Sequence, residues 1–122
     1  MTDFADRFIA ALRHLEETGD TSRIVPLFAA DASIANPLVR HDQGGPDAAK
    51  HFWSAYRAAF DNIRSEFLHI GEADGAAFLE WVSEGATANG ERFRYGGVSV
   101  LEHDGESISA FRTYFDPRQI SP

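Results

Sequence analysis

The stretch that decides the fold is AAFLEWVSEGATANGERFRYGGVSVLEHDG, residues 76–105. In both halves, charged side chains such as Glu80 and Arg94 alternate with aromatic ones such as Trp81 and Tyr95. That alternation is typical of strands with one buried face. Asn-Gly separates the halves and Asp-Gly follows the second, and both pairs favour the positive φ angles of tight hairpin turns. The stretch therefore predicts two neighbouring strands of an antiparallel meander.

Similar patterns flank this stretch on both sides. IRSEFLHI, residues 63–70, and SISAFRTYFD, residues 107–116, also indicate strands, and Ala-Asp-Gly precedes residue 76 as a third hairpin signal. Gly96 and Gly97 lie inside a predicted strand, where adjacent glycines favour a bulge or a sharp bend. The second half of the chain thus predicts four antiparallel strands on a curved sheet.

The first half of the chain has helical spacing. Phe4, Phe8, Leu12 and Leu15 fall three or four residues apart, which predicts a first helix that Gly19 ends. A second apolar face around residues 24–28 contains Pro26, so we expect that second helix to be short or kinked. A brief strand, ASIANP at residues 32–37, follows. DAAKHFWSAYRAAF, residues 47–60, then predicts a third helix with a broad apolar stripe.

The order of these elements indicates the fold class. Helices followed by a meander are typical of α+β proteins, in which helices pack on one face of the sheet. We expect one domain over residues 1–122, a cone-shaped curved antiparallel sheet with three N-terminal helices, and a pocket enclosed between them. The composition, 43% hydrophobic and 25% charged, is that of an ordinary globular chain.

Charge and cysteine content exclude several classes of function. The net charge of −8 argues against a nucleic-acid partner, which needs a basic surface, and no basic amphipathic stretch suggests a membrane partner. The absence of cysteine excludes disulfides and cysteine nucleophiles. No two histidines have metal-ligand spacing and no phosphate-binding loop is present, so we expect no metal and no cofactor. The sequence shows no signal peptide and no apolar span, so we expect a cytoplasmic protein.

Four segments in a fixed order resemble one known superfamily. They are GDTSRIVPLFAADASIANP, the helix after GGPDAA, HIGEADG, and DGESISAFRTYFDP, and together they cover nearly the whole chain. The set resembles the nuclear transport factor 2-like superfamily, which includes ketosteroid isomerases, limonene epoxide hydrolases and SnoaL-like polyketide cyclases. The resemblance implies a cone-shaped α+β fold with a deep apolar pocket, often dimeric through the outer face of the sheet.

The resemblance to the isomerases does not extend to their catalytic groups. Their general base is an Asp in the first short strand just before a Pro, and Asn36 occupies that position. Their hydrogen-bonding Tyr in the first helix corresponds to Leu12, and their protonated Asp corresponds to Gly97. All three groups are therefore replaced in this sequence.

The epoxide hydrolase pattern is also mostly replaced. The Tyr and Asn that hold its water correspond to Ile34 and Asn36, its Arg and Asp to Trp81 and Ser83, and its second Asp to Thr113. Proton transfer needs a group that titrates near neutral pH, which Asn, Trp, Ser and Thr do not. We therefore expect a pocket walled by rings and neutral polar groups, with no carboxylate, in which Asn36 orients a ligand.

Strand alternation and the resemblance together assign residues to the pocket. The predicted ligand-binding residues are Asn36, Trp53, Tyr56, Phe60, Trp81, Ser83, Phe93, Tyr95, Phe111 and Thr113, with Ser65, Phe67 and His69 on the same face of the second strand. The outer face is predicted to carry Glu66, Glu80, Val82, Glu84, Arg92, Arg94, Val98, Arg112 and Tyr114, a mixture that suits a homodimer.

Three functions remain open from the sequence. The first is binding of a small apolar molecule in the aromatic pocket. The second is an isomerase, polyketide cyclase or epoxide hydrolase with a remodelled site, whose catalytic residues are unknown and for which Asn36 and His69 are candidates. The third is a docking module with a solid core. Each site residue also has a purely structural interpretation: Asn36 in a turn, His69 as a hydrogen-bonded core histidine, and the aromatic residues as core.

Overall fold

The computed structural model describes residues 3–35, 47–116 and 118. The predicted α+β class is confirmed. In chain order the elements are α1 (Asp3–Thr18), one turn of 3-10 helix (Val25–Leu27), β1 (Phe28–Ala35), α2 (Ala48–Ala58), β2 (Phe60–Ala73), β3 (Ala76–Thr87), β4 (Arg92–His103) and β5 (Ile108–Phe115).

The prediction of three helices is not confirmed, because the described residues contain two α-helices and a single turn of 3-10 helix. Where a second helix was expected, the Leu27 N–H donates to the Ile24 carbonyl at 3.1 Å, three residues back, and Phe28 is already extended. Pro26 explains the short turn, because proline has no N–H to extend a helical ladder. The predicted end of α1 is confirmed: Gly19 has φ +80° and its N–H donates to the Leu15 carbonyl at 2.8 Å.

The sheet has five strands in the order β1-β5-β4-β3-β2. Strands β2 to β5 form the predicted antiparallel meander. At one edge, however, β1 pairs with β5 in parallel, so the sheet is mixed and the prediction of a wholly antiparallel sheet is wrong there. The parallel pair joins strands that are distant in the sequence, and no local turn signal reports such pairing.

The predicted hairpins are confirmed by backbone angles. Asp74 and Gly75, at φ +56° and +75°, form the two-residue turn between β2 and β3. Gly90 and Gly105, at φ +86° and +94°, lie in the other two turns. Positive φ at these positions is the conformation for which Asp-Gly and Asn-Gly are selected.

Of the two alternatives predicted for Gly96 and Gly97, a bulge or a sharp bend, the bulge is wrong, because β3 and β4 pair through both residues without a register shift. A different contact explains why residue 97 is a glycine. A Cβ at this position would lie 2.7 Å from Cζ2 of Trp81 and would also collide with the Tyr114 carbonyl. Glycine is therefore required here because the Trp81 ring and the next strand approach the backbone closely.

The hydrophobic core lies between the helices and the inner face of the sheet. Its largest fully buried apolar side chains are Phe8, Leu15, Ile24, Leu79, Leu101 and Ile108. Phe8 and Leu15 come from the apolar face of α1 and meet Leu79 and Leu101 from the central strands. In the part of the chain that the structure describes, no helix combines the length and apolarity needed to cross a membrane.

Candidate functional site

A cavity of about 430 Å³ lies between α1, α2 and the inner face of the sheet. Phe8 and Leu12 of α1 form one wall, and α2 and all five strands supply the others. Most lining side chains are aromatic or aliphatic, and hydroxyl groups from Ser65, Ser83 and Thr113 interrupt them. The volume falls within the range of about 300–1,000 Å³ that is usual for small-molecule sites.

Most of the predicted ligand-binding residues lie on this cavity. Those that line it are Trp53, Tyr56, Phe60, Trp81, Ser83, Tyr95, Phe111 and Thr113. Phe93 lies beside the cavity, with its ring centroid 4.9 Å from that of Phe60 and 5.7 Å from that of Tyr95. Asn36 lies outside the described residues. That these residues bind a ligand stays a prediction.

Trp53 is the centre of the aromatic wall. Its ring centroid lies 5.4 Å from that of Tyr56, 5.4 Å from that of Phe111 and 4.8 Å from that of Phe52, each in an edge-to-face arrangement, which is favourable for aromatic pairs. Trp53 is only 3% exposed. Among the described residues its indole N–H has no hydrogen-bond acceptor. A buried donor without a partner is costly, and an acceptor on a bound molecule would remove that cost.

The prediction that His69 faces the interior is wrong. The pairing of β2 with β3 shifts register between Phe67 and His69, leaving Leu68 without a partner on β3. One extra residue reverses the alternation beyond it, so His69 pairs with Glu80 of the outer face. Its side chain is 84% exposed and its Nδ1 lies 2.6 Å from Oε1 of Glu80. His69 is therefore not a candidate for chemistry inside the cavity.

A first cluster of hydroxyl groups lies where β3, β4 and β5 run side by side. The indole N–H of Trp81 donates to the Ser99 hydroxyl at 3.0 Å, and the Ser99 and Thr113 hydroxyls lie 2.9 Å apart. Thr113 thereby has the hydrogen-bond partner that a buried hydroxyl requires. Ser99, which supplies that partner, also lines the cavity and was not predicted.

A second polar cluster contains a carboxylate that the sequence analysis missed. Glu16 of α1 is 6% exposed, and its Oε1 accepts the backbone N–H of Ser65 at 2.9 Å. Its Oε2 accepts the Ser65 hydroxyl at 2.6 Å and the Tyr56 hydroxyl at 2.9 Å. The Ser65 hydroxyl also lies 2.5 Å from that of Ser83. We call Glu16, Tyr56, Ser65 and Ser83 the Glu16 network.

The Glu16 network connects a titratable group to the cavity. Tyr56, Ser65 and Ser83 line the cavity, and Glu16 lies directly behind them. We expected a cavity wall without any carboxylate. That expectation needs correction here, because the Glu16 carboxylate is hydrogen-bonded to the wall from behind. One signal was present in the sequence: Glu16 follows Leu12 by four residues, which places it on the apolar stripe of α1, where an acid is unusual.

Burial dominates the electrostatics of this network. Desolvation raises the pKa of the Glu16 carboxyl, while the hydrogen bonds from Ser65 and Tyr56 and the charge of Arg13 oppose that shift. Desolvation, and then the nearby Glu16 charge, raise the pKa of Tyr56 and of Tyr95. Both phenols therefore stay protonated, and Glu16 is the member of the network whose charge changes most readily.

His51 is a second titratable residue that the sequence analysis did not place on the cavity. It lies on α2, lines the cavity and is exposed to solvent, so it belongs to the open side. Within residues 3–35, 47–116 and 118, no three His, Asp or Glu side chains come together in a way that could hold a metal ion.

Comparison with known proteins gives consistent results. The family model described as SnoaL-like domain matches residues 5–111. An NTF2-like protein from Anabaena variabilis superposes with a TM-score of 0.81 at 18% identity, over 93% of this chain and 87% of that chain. An LEH-like epoxide hydrolase from M. tuberculosis gives 0.72 at 18% identity, over 97% of this chain and 86% of that one.

A third similar structure is a protein with a ketosteroid isomerase-like fold from Catenulispora acidiphila, in complex with trimethylamine. It gives a TM-score of 0.79 at 17% identity, over 93% of this chain and 88% of that chain. At these identities the likeness shows the fold alone. No curated protein matches the sequence at a significant level. Since the family model spans most of the sequence, the chain belongs to the SnoaL-like domain family.

Proposed function

We propose that this protein binds a small apolar molecule in the cavity between its helices and its sheet. The observation that carries the proposal is the 430 Å³ cavity itself, walled by rings such as Trp53, Trp81 and Phe111 and interrupted by few hydroxyls. Sites for small molecules combine such apolar walls with a small number of polar groups that fix orientation. A docking module with a solid core would have no need of this cavity, which makes the third hypothesis less favourable.

A thermal-shift screen tests the proposal. The probes are polycyclic, terpenoid and fatty molecules, each at about a hundredfold excess over its dissociation constant. Such an excess stabilises the folded state by about 2.7 kcal/mol, which for a chain of this size raises Tm by roughly 10 °C. If no probe in the three classes raises Tm, the proposal is contradicted.

A matched pair of variants assigns the binding to the cavity. Ala55 on α2 lines the cavity and is exposed, so it lies at the opening, and Ala55→Phe fills that opening. Ala58 on the same helix is exposed and does not line the cavity. We expect Ala55→Phe to remove the shift in Tm and Ala58→Phe to keep it.

A second candidate function is an isomerase, polyketide cyclase or epoxide hydrolase with a remodelled active site. One observation favours it: Glu16, whose pKa is raised by burial, is separated from the cavity by single hydroxyls. Carboxyls with raised pKa values serve as general acids and bases in enzymes. Any activity found should then follow the titration of Glu16 in its pH–rate profile, and Glu16→Gln should remove that dependence.

Our proposal includes a homodimer through the outer face of the sheet, with a second copy of the chain as the partner. Val98 and Tyr114 pair across β4 and β5 and are 38% and 54% exposed, and Phe78 on β3 is 43% exposed. Charged pairs such as Arg112–Glu102, with 2.6 Å between nitrogen and oxygen, lie on the same face. An apolar centre with a charged rim is typical of interfaces between proteins. The cytoplasmic location, the cone shape and the absence of a nucleic-acid partner stay predictions.

A further inference from the structure

The Glu16 network has a fixed direction of hydrogen bonding when Glu16 is ionised. An ionised carboxylate only accepts, so the Tyr56 and Ser65 hydroxyls must both donate to Oε2, at 2.9 and 2.6 Å. Each hydroxyl has one proton. The Ser65 hydroxyl donates its only hydrogen bond to Glu16. The short contact between the two serines therefore requires the Ser83 hydroxyl to donate to Ser65.

This direction determines what the wall presents to the cavity. Tyr56 and Ser83 both line the cavity, and the hydroxyl of each donates its only hydrogen bond within the Glu16 network. The lone pairs that remain on their oxygens can only accept. One part of the wall is therefore a pair of acceptors, although a hydroxyl alone could either donate or accept.

We infer that Glu16 is a positioning residue that sets the polarity of this wall, so that the molecule bound in the cavity carries a hydroxyl group that donates to Tyr56 or Ser83. The inference rests on the proposed function and makes it more specific: the ligand class is an apolar alcohol or phenol. A matching ether or hydrocarbon of the same shape leaves the acceptors unpaired and binds more weakly.

The substitution Glu16→Gln should convert this part of the cavity wall from hydrogen-bond acceptors to donors. Oε1 accepts a backbone N–H from Ser65, so the carboxamide oxygen takes that position and the amide NH₂ takes the position of Oε2. The NH₂ group then donates to the Ser65 and Tyr56 oxygens, which frees both of their protons. Tyr56, and Ser83 through Ser65, can then donate into the cavity.

The test compares two probes, 2-naphthol and 2-methoxynaphthalene, which share a ring system and differ in a single donor. Isothermal titration calorimetry gives the dissociation constant of each. We expect the native protein to bind 2-naphthol about tenfold more tightly, the effect of one hydrogen bond into a charge-linked network. Glu16→Gln should reduce that ratio to about twofold or less. Glu17→Gln, on the exposed neighbour in α1, should leave it unchanged.

A titration of the native protein tests the same inference without a substitution. The ratio should fall as pH decreases through the raised pKa of Glu16, because the protonated carboxyl donates back into the network. The ionisable groups around Glu16 are Arg13 on α1, Tyr56 on α2 and Tyr95 on β4, and burial raises the pKa of both phenols, so they stay protonated throughout the titration. His51 also lines the cavity, so the titration is repeated on His51→Gln as a control.

The outcomes separate this inference from the proposed function. If neither probe binds the native protein, both fail. If both probes bind but the native ratio is near one, or if it survives Glu16→Gln, the inference fails and the proposed function stands. If Glu16→Gln does not fold, the pH titration decides: a constant ratio, or a pH dependence that disappears in His51→Gln, overturns the inference.

Discussion

The Ser65 hydroxyl donates to the Glu16 carboxylate across 2.6 Å, joining the first helix to β2, 49 residues further along the chain. The Ser65 backbone N–H donates to the same carboxylate at 2.9 Å, so one buried residue fixes the position of α1 against the sheet. Buried charges are costly unless they are hydrogen-bonded, and Glu16 has three donors. The same contact serves the fold and the cavity.

Removal of this carboxylate should destabilise the protein. Glu16→Ala leaves the Ser65 N–H and the Tyr56 hydroxyl without their acceptor, and we expect the free energy of unfolding to fall by about 2–3 kcal/mol. Urea denaturation followed by circular dichroism measures the change. Glu17→Ala on the exposed side of α1 should change it by less than about 0.5 kcal/mol. Equal effects of the two substitutions would show that the Glu16 contacts are not structural.

The raised pKa of Glu16 predicts a pH dependence of stability with a definite sign. Burial, the largest cause, disfavours the charged form in the folded state. A group with a raised folded pKa contributes stability that is complete below its unfolded pKa, about 4.3, and is lost as pH rises through the folded value. The free energy of unfolding of the native protein, minus that of Glu16→Gln, should therefore decrease from acid pH upward and then level off.

Urea titrations of both proteins at a series of pH values measure this difference, since contributions of other groups cancel in the subtraction. A difference that increases with pH would mean that the folded state lowers the pKa of Glu16, and would contradict the role of burial.

The contact between Trp81 and Gly97 predicts a large cost for the smallest possible substitution. Gly97→Ala places a methyl group 2.7 Å from the Trp81 ring and against the Tyr114 carbonyl, so the ring or the strand must move. We expect a loss of about 1–3 kcal/mol in the free energy of unfolding, as for other overpacked sites. Gly71→Ala in β2 is the matched control, because its methyl group would meet open space. Similar stabilities of the two variants would contradict the described packing.

The exposed apolar centre of the outer sheet face predicts a dimer that one charge can break. Size-exclusion chromatography with light scattering should give the native protein twice the 13.5 kDa mass of the chain. Val98→Lys should give the single-chain mass, because it buries an unpaired charge at the interface. Ala10→Lys, on the exposed surface of α1, should leave the dimer intact. A native protein that is monomeric at high concentration would contradict the proposed interface.

The parts of the fold that the sequence predicts correctly are those with local causes. Asp74-Gly75 specifies its hairpin through its own backbone preferences. The alternation in β3, together with the family resemblance, places Trp81 and Ser83 on the cavity, and the same reasoning places Tyr95 there from β4. These predictions need no knowledge of distant residues.

The errors have non-local causes. Leu68 has no partner on β3, and this extra residue in β2 turns His69 outward. The neighbouring sequence contains no signal that predicts it. The parallel pairing of β1 with β5 joins the ends of the fold. The role of Glu16 on the apolar face of its helix depends on Tyr56 and Ser65, which donate hydrogen bonds to it from 40 and 49 residues away. The position of Asn36, the residue on which the sequence analysis placed most weight, lies outside the described residues.

The most direct test of the central claim uses the protein's own fluorescence. The chain has two tryptophans, Trp53 and Trp81, and both line the cavity. Because both indoles line the cavity, titration with a naphthalene-ring ligand should change their emission and saturate at one ligand per chain. Ala55→Phe, which fills the opening, should abolish the change, and Ala58→Phe should retain it. Emission that stays constant, or that changes equally in both variants, would contradict binding inside the cavity.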